Sequence, residues 1–254
     1  MDASWESGDV IGISCSGTNT NYDNMKYVTA GGDGNFTHDG GVASGIFFQG
    51  TEEVTFSAYY PFSGTEGSPA ETILVVTTND QTQQKDFDYL YAANATTTYA
   101  SPTISFTGNS IFKHKMSRLI LKITTSATDG FSAADVLSGT YSISGIKHSG
   151  TFDTTNGTAT ATNGATDDWE ITATPQDADN LRTYSMIFYP QDQPTLTFKA
   201  VINGQTYAKD ITPALAASTS NTYTITVKKT GLVVSGSTIQ EWGDENTGSG
   251  DATM

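Results

Sequence analysis

Leu196-Thr197-Phe198-Lys199-Ala200-Val201-Ile202-Asn203-Gly204-Gln205-Thr206-Tyr207-Ala208-Lys209 is the stretch that decides the fold class. Apolar and polar residues alternate on both sides of Asn203-Gly204, which is the period of a half-buried strand. Asn-Gly favours a type I′ turn, because both central residues take positive φ. The stretch therefore predicts two antiparallel strands, Thr195–Asn203 and Gln205–Ile211. Lys199 and Lys209 are expected to keep a solvent face polar.

The same period recurs outward in both directions. Toward the N-terminus it predicts strands at Asp9–Cys15, Gly45–Phe48, Glu53–Tyr60, Glu71–Thr77, Asp86–Tyr91, Thr103–Phe106 and Ser117–Thr125. Beyond these it predicts Gly139–Lys147, Gly150–Asp153, Ala159–Thr162, Asp168–Ala173 and Thr183–Tyr189. Toward the C-terminus it predicts Asn221–Lys228, Gly231–Ser235 and Thr238–Trp242. Helix is expected only in short pieces. Ser132 caps the run Ala133–Leu137 before Gly139, and Pro213–Ala217 is long enough for one turn.

Composition agrees with an all-β class. Threonine numbers 42 of 254 residues, and with Val, Ile, Tyr and Phe it suits a pleated surface. The run Val54–Pro61 has an echo at Tyr184–Pro190. Both end in an aromatic-Tyr-Pro sequence, with the prolines about half a chain apart. Two sandwich domains are expected, 1–127 and 128–243, joined near Ser126–Phe131. Residues 244–254 read as a polar flexible tail.

The net charge of −15 argues against nucleic-acid partners and against direct binding to anionic lipid. Cys15 is the single cysteine, so no internal disulfide framework exists, and its apolar neighbours make it a packing residue. His38, His114 and His148 are dispersed, without a nucleophile elbow or a zinc spacing. The acidic loops Asn19–Asp23 and Asp177–Asn180 lack the glycine and terminal glutamate of a calcium loop. No catalytic residue, cofactor or metal is expected. Trp5, Trp169, Trp242, Tyr59, Tyr60, Tyr89 and Tyr91 form a pool for glycan stacking, but strand-like spacing favours packing.

Several motifs together carry a resemblance. Trp5-Glu6-Ser7-Gly8-Asp9-Val10-Ile11-Gly12-Ile13 opens the chain, followed by Tyr22-Asp23-Asn24 with Tyr27. Then come Val54-Thr55-Phe56-Ser57-Ala58-Tyr59-Tyr60-Pro61, Asp86-Phe87-Asp88-Tyr89-Leu90-Tyr91-Ala92 and Phe112-Lys113-His114-Lys115-Met116-Ser117-Arg118-Leu119. Asn221-Thr222-Tyr223-Thr224-Ile225-Thr226-Val227, Leu232-Val233-Val234-Ser235 and Ile239-Gln240-Glu241-Trp242 close it. In this order, across almost the whole length, the chain resembles the fimbrillin-like proteins of Bacteroidales.

The resemblance implies two tandem transthyretin-like β-sandwiches. It implies a lipoprotein precursor, exported by a signal peptide that this sequence does not carry, and a place at the outer membrane or fimbrium. It implies pilus subunits that polymerise by strand exchange after an N-terminal strand is cleaved, and no catalytic residues. His114 matches a typical family position and is expected to pack or hydrogen-bond. No Arg precedes Trp5, and the end after Trp242 is short and polar, unlike a shaft subunit, so a tip, accessory or anchor role is left open. The expected partners are other fimbrial subunits, and a host or bacterial glycan or protein ligand. Membrane attachment is expected only through the precursor's lipid. Tyr223, Ile225, Val227, Leu232, Val233 and Val234 are the candidates for the exchanging segment. The alternative is a glycan-binding surface module of an adhesin or polysaccharide-uptake system.

Overall fold

The computed structural model describes residues 4–242 except 42–43, 71–72, 127–129, 163, 166, 179–180 and 193. Among the described residues strands dominate, and the one α-helix, α1 (Ala133–Ser138), is short. Its Ser132 side chain accepts from the Asp135 N–H at 3.2 Å, and the Asp135 carboxylate accepts from the Ser132 N–H at 2.9 Å. This reciprocal cap is the one the sequence offers.

The first sheet is antiparallel. Its order is β3 (Thr37–His38), β2 (Asn21–Val28), β1 (Val10–Ser16), β4 (Val54–Tyr60), β6 (Leu90–Thr97) and β7 (Lys113–His114). Val54, Phe56, Ala58 and Tyr60 alternate into one core with Ile11, Ile13, Cys15 and Ala95, whereas Tyr59 joins a different cluster. The alternation breaks on β2, where Asn24 sits at φ 47° and the register slips between Ile13 and Cys15. The Asn24 N–H donates to Ser14 Oγ at 2.9 Å across this bulge. The bulge hides the period-two signal, which is why β2 is not expected from the pattern.

The C-terminal part is a two-sheet sandwich. One sheet runs β12 (Trp169–Glu170), β9 (Thr140–Ser144), β15 (Leu196–Ile202), β16 (Gln205–Ile211). The other runs β13 (Gln176–Ala178), β14 (Leu181–Phe188), β8 (Ser117–Thr125), β17 (Thr219–Lys228), β18 (Gly231–Glu241). Leu119, Leu121 and Ile123 of β8 meet Phe198, Ala200 and Ile202 of β15 in one core. β8 pairs antiparallel with β14 and parallel with β17.

The deciding hairpin forms in the expected register, Ile202 opposite Gln205, with Asn203 at φ 52° and Gly204 at φ 76°. Lys199 lies across the strand from the buried Phe198 and reaches Asp168 at 2.6 Å. Lys209 is exposed as expected, although it pairs with Phe198 and so shares its face of the edge strand with Tyr207 and Ile211. A charge there discourages further pairing.

A small third sheet, β5 (Ile73–Leu74), β10 (Gly150–Asp153) and β11 (Thr158–Ala161), links the two parts. Beside it Tyr59, Phe87, Tyr89 and Met116 pack with Phe152, Ile187, Tyr189 and Trp242 in a shared core.

Several expected elements differ, and the strands expected at Gly231–Ser235 and Thr238–Trp242 form the single strand β18. Residues 45–48 and 103–106 pair with no strand, and Gly45 lies in a bend. Asp86–Tyr91 divides into the end of a 3-10 turn at Gln81–Asp86 and the start of β6. Residues 213–217 make no helical turn, because Leu215 is drawn into the core and ties the segment there. Of Glu71–Thr77, only Ile73–Leu74 pairs as a strand, and residues 71–72 lie outside the described set. The expected tail 244–254 also lies outside it.

Candidate functional site

One face of the first sheet is covered by a layer without strands. Trp5, Phe36, Ile46, Phe48, Ile104, Phe106 and Phe112 pack half-buried onto Ile11, Ile13 and their neighbours. A groove of about 580 Å³ runs between this layer and the sheet. Trp5 organises one end, with edge-on contacts to Phe36 at 4.9 Å, Phe112 at 5.2 Å and Tyr60 at 5.6 Å.

The walls of the groove include the two segments that the sequence reads as strands, which join no sheet. Among the described residues, neither 46–48 nor 104–106 makes a backbone–backbone hydrogen bond. The Ile46 N–H is met by Tyr27 Oη at 3.1 Å, and the Gln49 N–H by Thr20 Oγ1 at 2.9 Å. Phe47 at the rim is about half exposed. The Phe47 carbonyl accepts from Gln49 Nε2 at 3.3 Å, so side chains rather than a strand meet this backbone, beside the apolar surface that an added strand would use.

The residues proposed for exchange fall into two groups. Ile225 and Val227 are fully buried on β17, and Tyr223 is half-buried there against the sandwich core. β17 is hydrogen-bonded on both sides, to β8 and to β18. Leu232, Val233 and Val234 lie on β18, the last strand of its sheet, with Leu232 and Val234 packed on the core and Val233 exposed. Sequence reading marks these apolar positions but does not separate an interior strand from an edge strand. Pairing partners far along the chain decide that.

The groups with chemical potential are taken up in packing. Burial pushes the Cys15 thiol up to about 11. His38 pairs with Glu66, and His114 Nδ1 lies 2.7 Å from Asp88 Oδ1. His148 Nδ1 lies 3.2 Å from Thr78 Oγ1. Ser218 bonds the main-chain carbonyl of His114 rather than its ring. Among the described residues no three His, Cys, Asp or Glu side chains gather as for a metal, and no helix is long and apolar enough to cross a membrane. Trp169, Trp242, Tyr59, Tyr60 and Tyr89 are buried. Tyr91 binds the Thr155 carbonyl at 2.7 Å.

A family model described as fimbrillin-like matches residues 1–242. A candidate cell adhesion protein from Bacteroides ovatus ATCC 8483 superposes with a TM-score of 0.76 at 26% identity, over 94% of this chain and 89% of that one. One from Bacteroides uniformis ATCC 8492 gives 0.75 at 26% identity, over 95% and 94%. The tip fimbrial protein Mfa3 from Porphyromonas gingivalis, truncated at its C-terminus, gives 0.53 at 9% identity over 93% and 95%, a likeness of fold alone. No curated protein matches this chain.

Proposed function

The chain belongs to the fimbrillin-like family, and on that premise we propose that it is a cell-surface fimbrial subunit whose N-terminal groove accepts an extended strand from a neighbouring subunit. The observation that carries this reading is the pair of walls at 46–48 and 104–106, outside every strand ladder and set over apolar side chains. A strand entering there would complete the missing layer, with main-chain bonds giving affinity and alternate side chains filling the aromatic floor. β18 is the better donor than β17, because leaving the sheet breaks one ladder rather than two. Leu232, Val233 and Val234 are the apolar residues it would carry. Attachment to a membrane is assigned to a lipid on the precursor, since a surface of net charge −15 is repelled by anionic headgroups.

The test is assembly with its partner subunits, read by electron microscopy and by ladders on native gels. Ile104→Arg places a charge in the groove. It is expected to leave a folded monomer, checked by thermal unfolding, that no longer enters polymers. A synthetic peptide of residues 231–241 is expected to bind the parent chain in calorimetry and not the variant. Polymers that incorporate Ile104→Arg as readily as the parent would sink the reading.

A further inference from the structure

The terminal strand ends in a contrast. Residues 235–239 of β18 are exposed, Ile239 by 60%, yet Trp242, just past the strand, is only 4% exposed. The indole lies parallel to the His114 ring, 3.9 Å between centroids and 5° between planes. The Arg118 guanidinium sits 5.4 Å from the indole centroid. The Trp242 N–H donates to the Ser218 carbonyl at 2.6 Å, and the Ser218 N–H donates to the Met116 carbonyl at 3.0 Å. His114 is held in turn by the fully buried Asp88.

The ring's neighbours His114 and Arg118 come from one place, the crossing of the chain from β7 into β8, whereas Ser218 lies just before β17. Along 235–239 the side chains face solvent, so the strand is held there by its ladder to β17 alone. Leu232 and Val234 hold the start of the strand on the core, and the side-chain fastening of its outer half is concentrated in one large ring with aromatic and cationic neighbours. We propose that Trp242 is a latch. It keeps β18 in its own sheet, and the strand is released when the indole leaves the His114–Arg118 clamp. The proposal rests on the reading of β18 as the exchanging strand, and adds to it the contact that governs when the strand is free.

Hydrogen exchange on the purified monomer tests the latch without any assembly step. Trp242→Ala is expected to speed exchange of the amides of 236–241 by about tenfold or more, while those of the interior strands β8 and β14 keep their protection. Trp242→Phe keeps a ring in the clamp and is expected to fall between the two. Ser237→Ala, on the exposed stretch, is expected to change nothing. Unchanged protection of 236–241 in Trp242→Ala overturns the latch. So does an equal loss across β8, β14 and β18, which would make Trp242 an ordinary core residue. If Trp242→Ala does not fold, the same two outcomes are read on Trp242→Phe. Faster β18 exchange together with unaltered assembly of Ile104→Arg would leave the latch standing and remove strand exchange into the groove.

Discussion

His148 is the residue whose surroundings have the plainest consequence in solution. It is buried, its Nδ1 faces Thr78, and its ring lies 4.6 Å from Trp169 and 5.6 Å from Phe188. Burial lowers its pKa from 6.5 to about 4. Between those values the unfolded chain binds a proton that the folded chain refuses. Stability from this residue is therefore complete above pH 6.5 and is lost as the pH falls toward 4, by up to about 3 kcal/mol. Urea unfolding of the parent and of His148→Gln at both ends of the window measures it. The variant is expected to show a smaller loss on acidification, and equal losses would refute the assignment. That the three histidines are packing residues is legible in the sequence, from the absence of any motif around them. Their partners are not legible. Asp88, Glu66 and Thr78 lie 26, 28 and 70 positions away, and only the strand order brings them close.

At the scale of elements, the edge of β14 shows how this chain finishes a sheet without a strand. β13 pairs only with Leu181–Thr183. Further along, the 3-10 turn Gln81–Asp86 takes over with side chains. The Ile187 N–H donates to Gln81 Oε1 and Gln81 Nε2 donates to the Ile187 carbonyl, both at 2.8 Å. Gln84 Nε2 donates to the Ser185 carbonyl at 2.8 Å. The buried amide of Gln81 thus stands in for a neighbouring strand. Gln81→Ala leaves a donor and an acceptor on Ile187 unmet and is expected to cost about 2–3 kcal/mol, against about 1 kcal/mol for Gln84→Ala. Chemical denaturation of the two variants ranks them, and the reverse order would discard this account. Elements governed by local chemistry are readable ahead of the structure, as the Asn203-Gly204 turn and the Ser132 cap demonstrate. The bulge in β2 and the side-chain edge at Gln81 are not, because the first breaks the period and the second pairs residues over a hundred positions apart.

For the whole molecule, the position of β8 matters most. The echo between Val54–Pro61 and Tyr184–Pro190 suggests two similar units with a division at 127. Ser117–Thr125, on the N-terminal side of that division, is hydrogen-bonded between β14 and β17. We propose that the second unit begins near Ser117. A fragment of residues 117–242 is expected to unfold cooperatively in urea, whereas 128–242, lacking a central strand, is expected to give no cooperative transition. Cooperative unfolding of the shorter fragment would return the division to 127. The parallel pairing of β8 with β17 also sets a timetable. About a hundred residues separate the two strands, so one side of β8 stays unpaired until β17 reaches it. Contacts this distant also close slowly. A chain built this way keeps one side of β8 open until the β17–β18 hairpin closes over it.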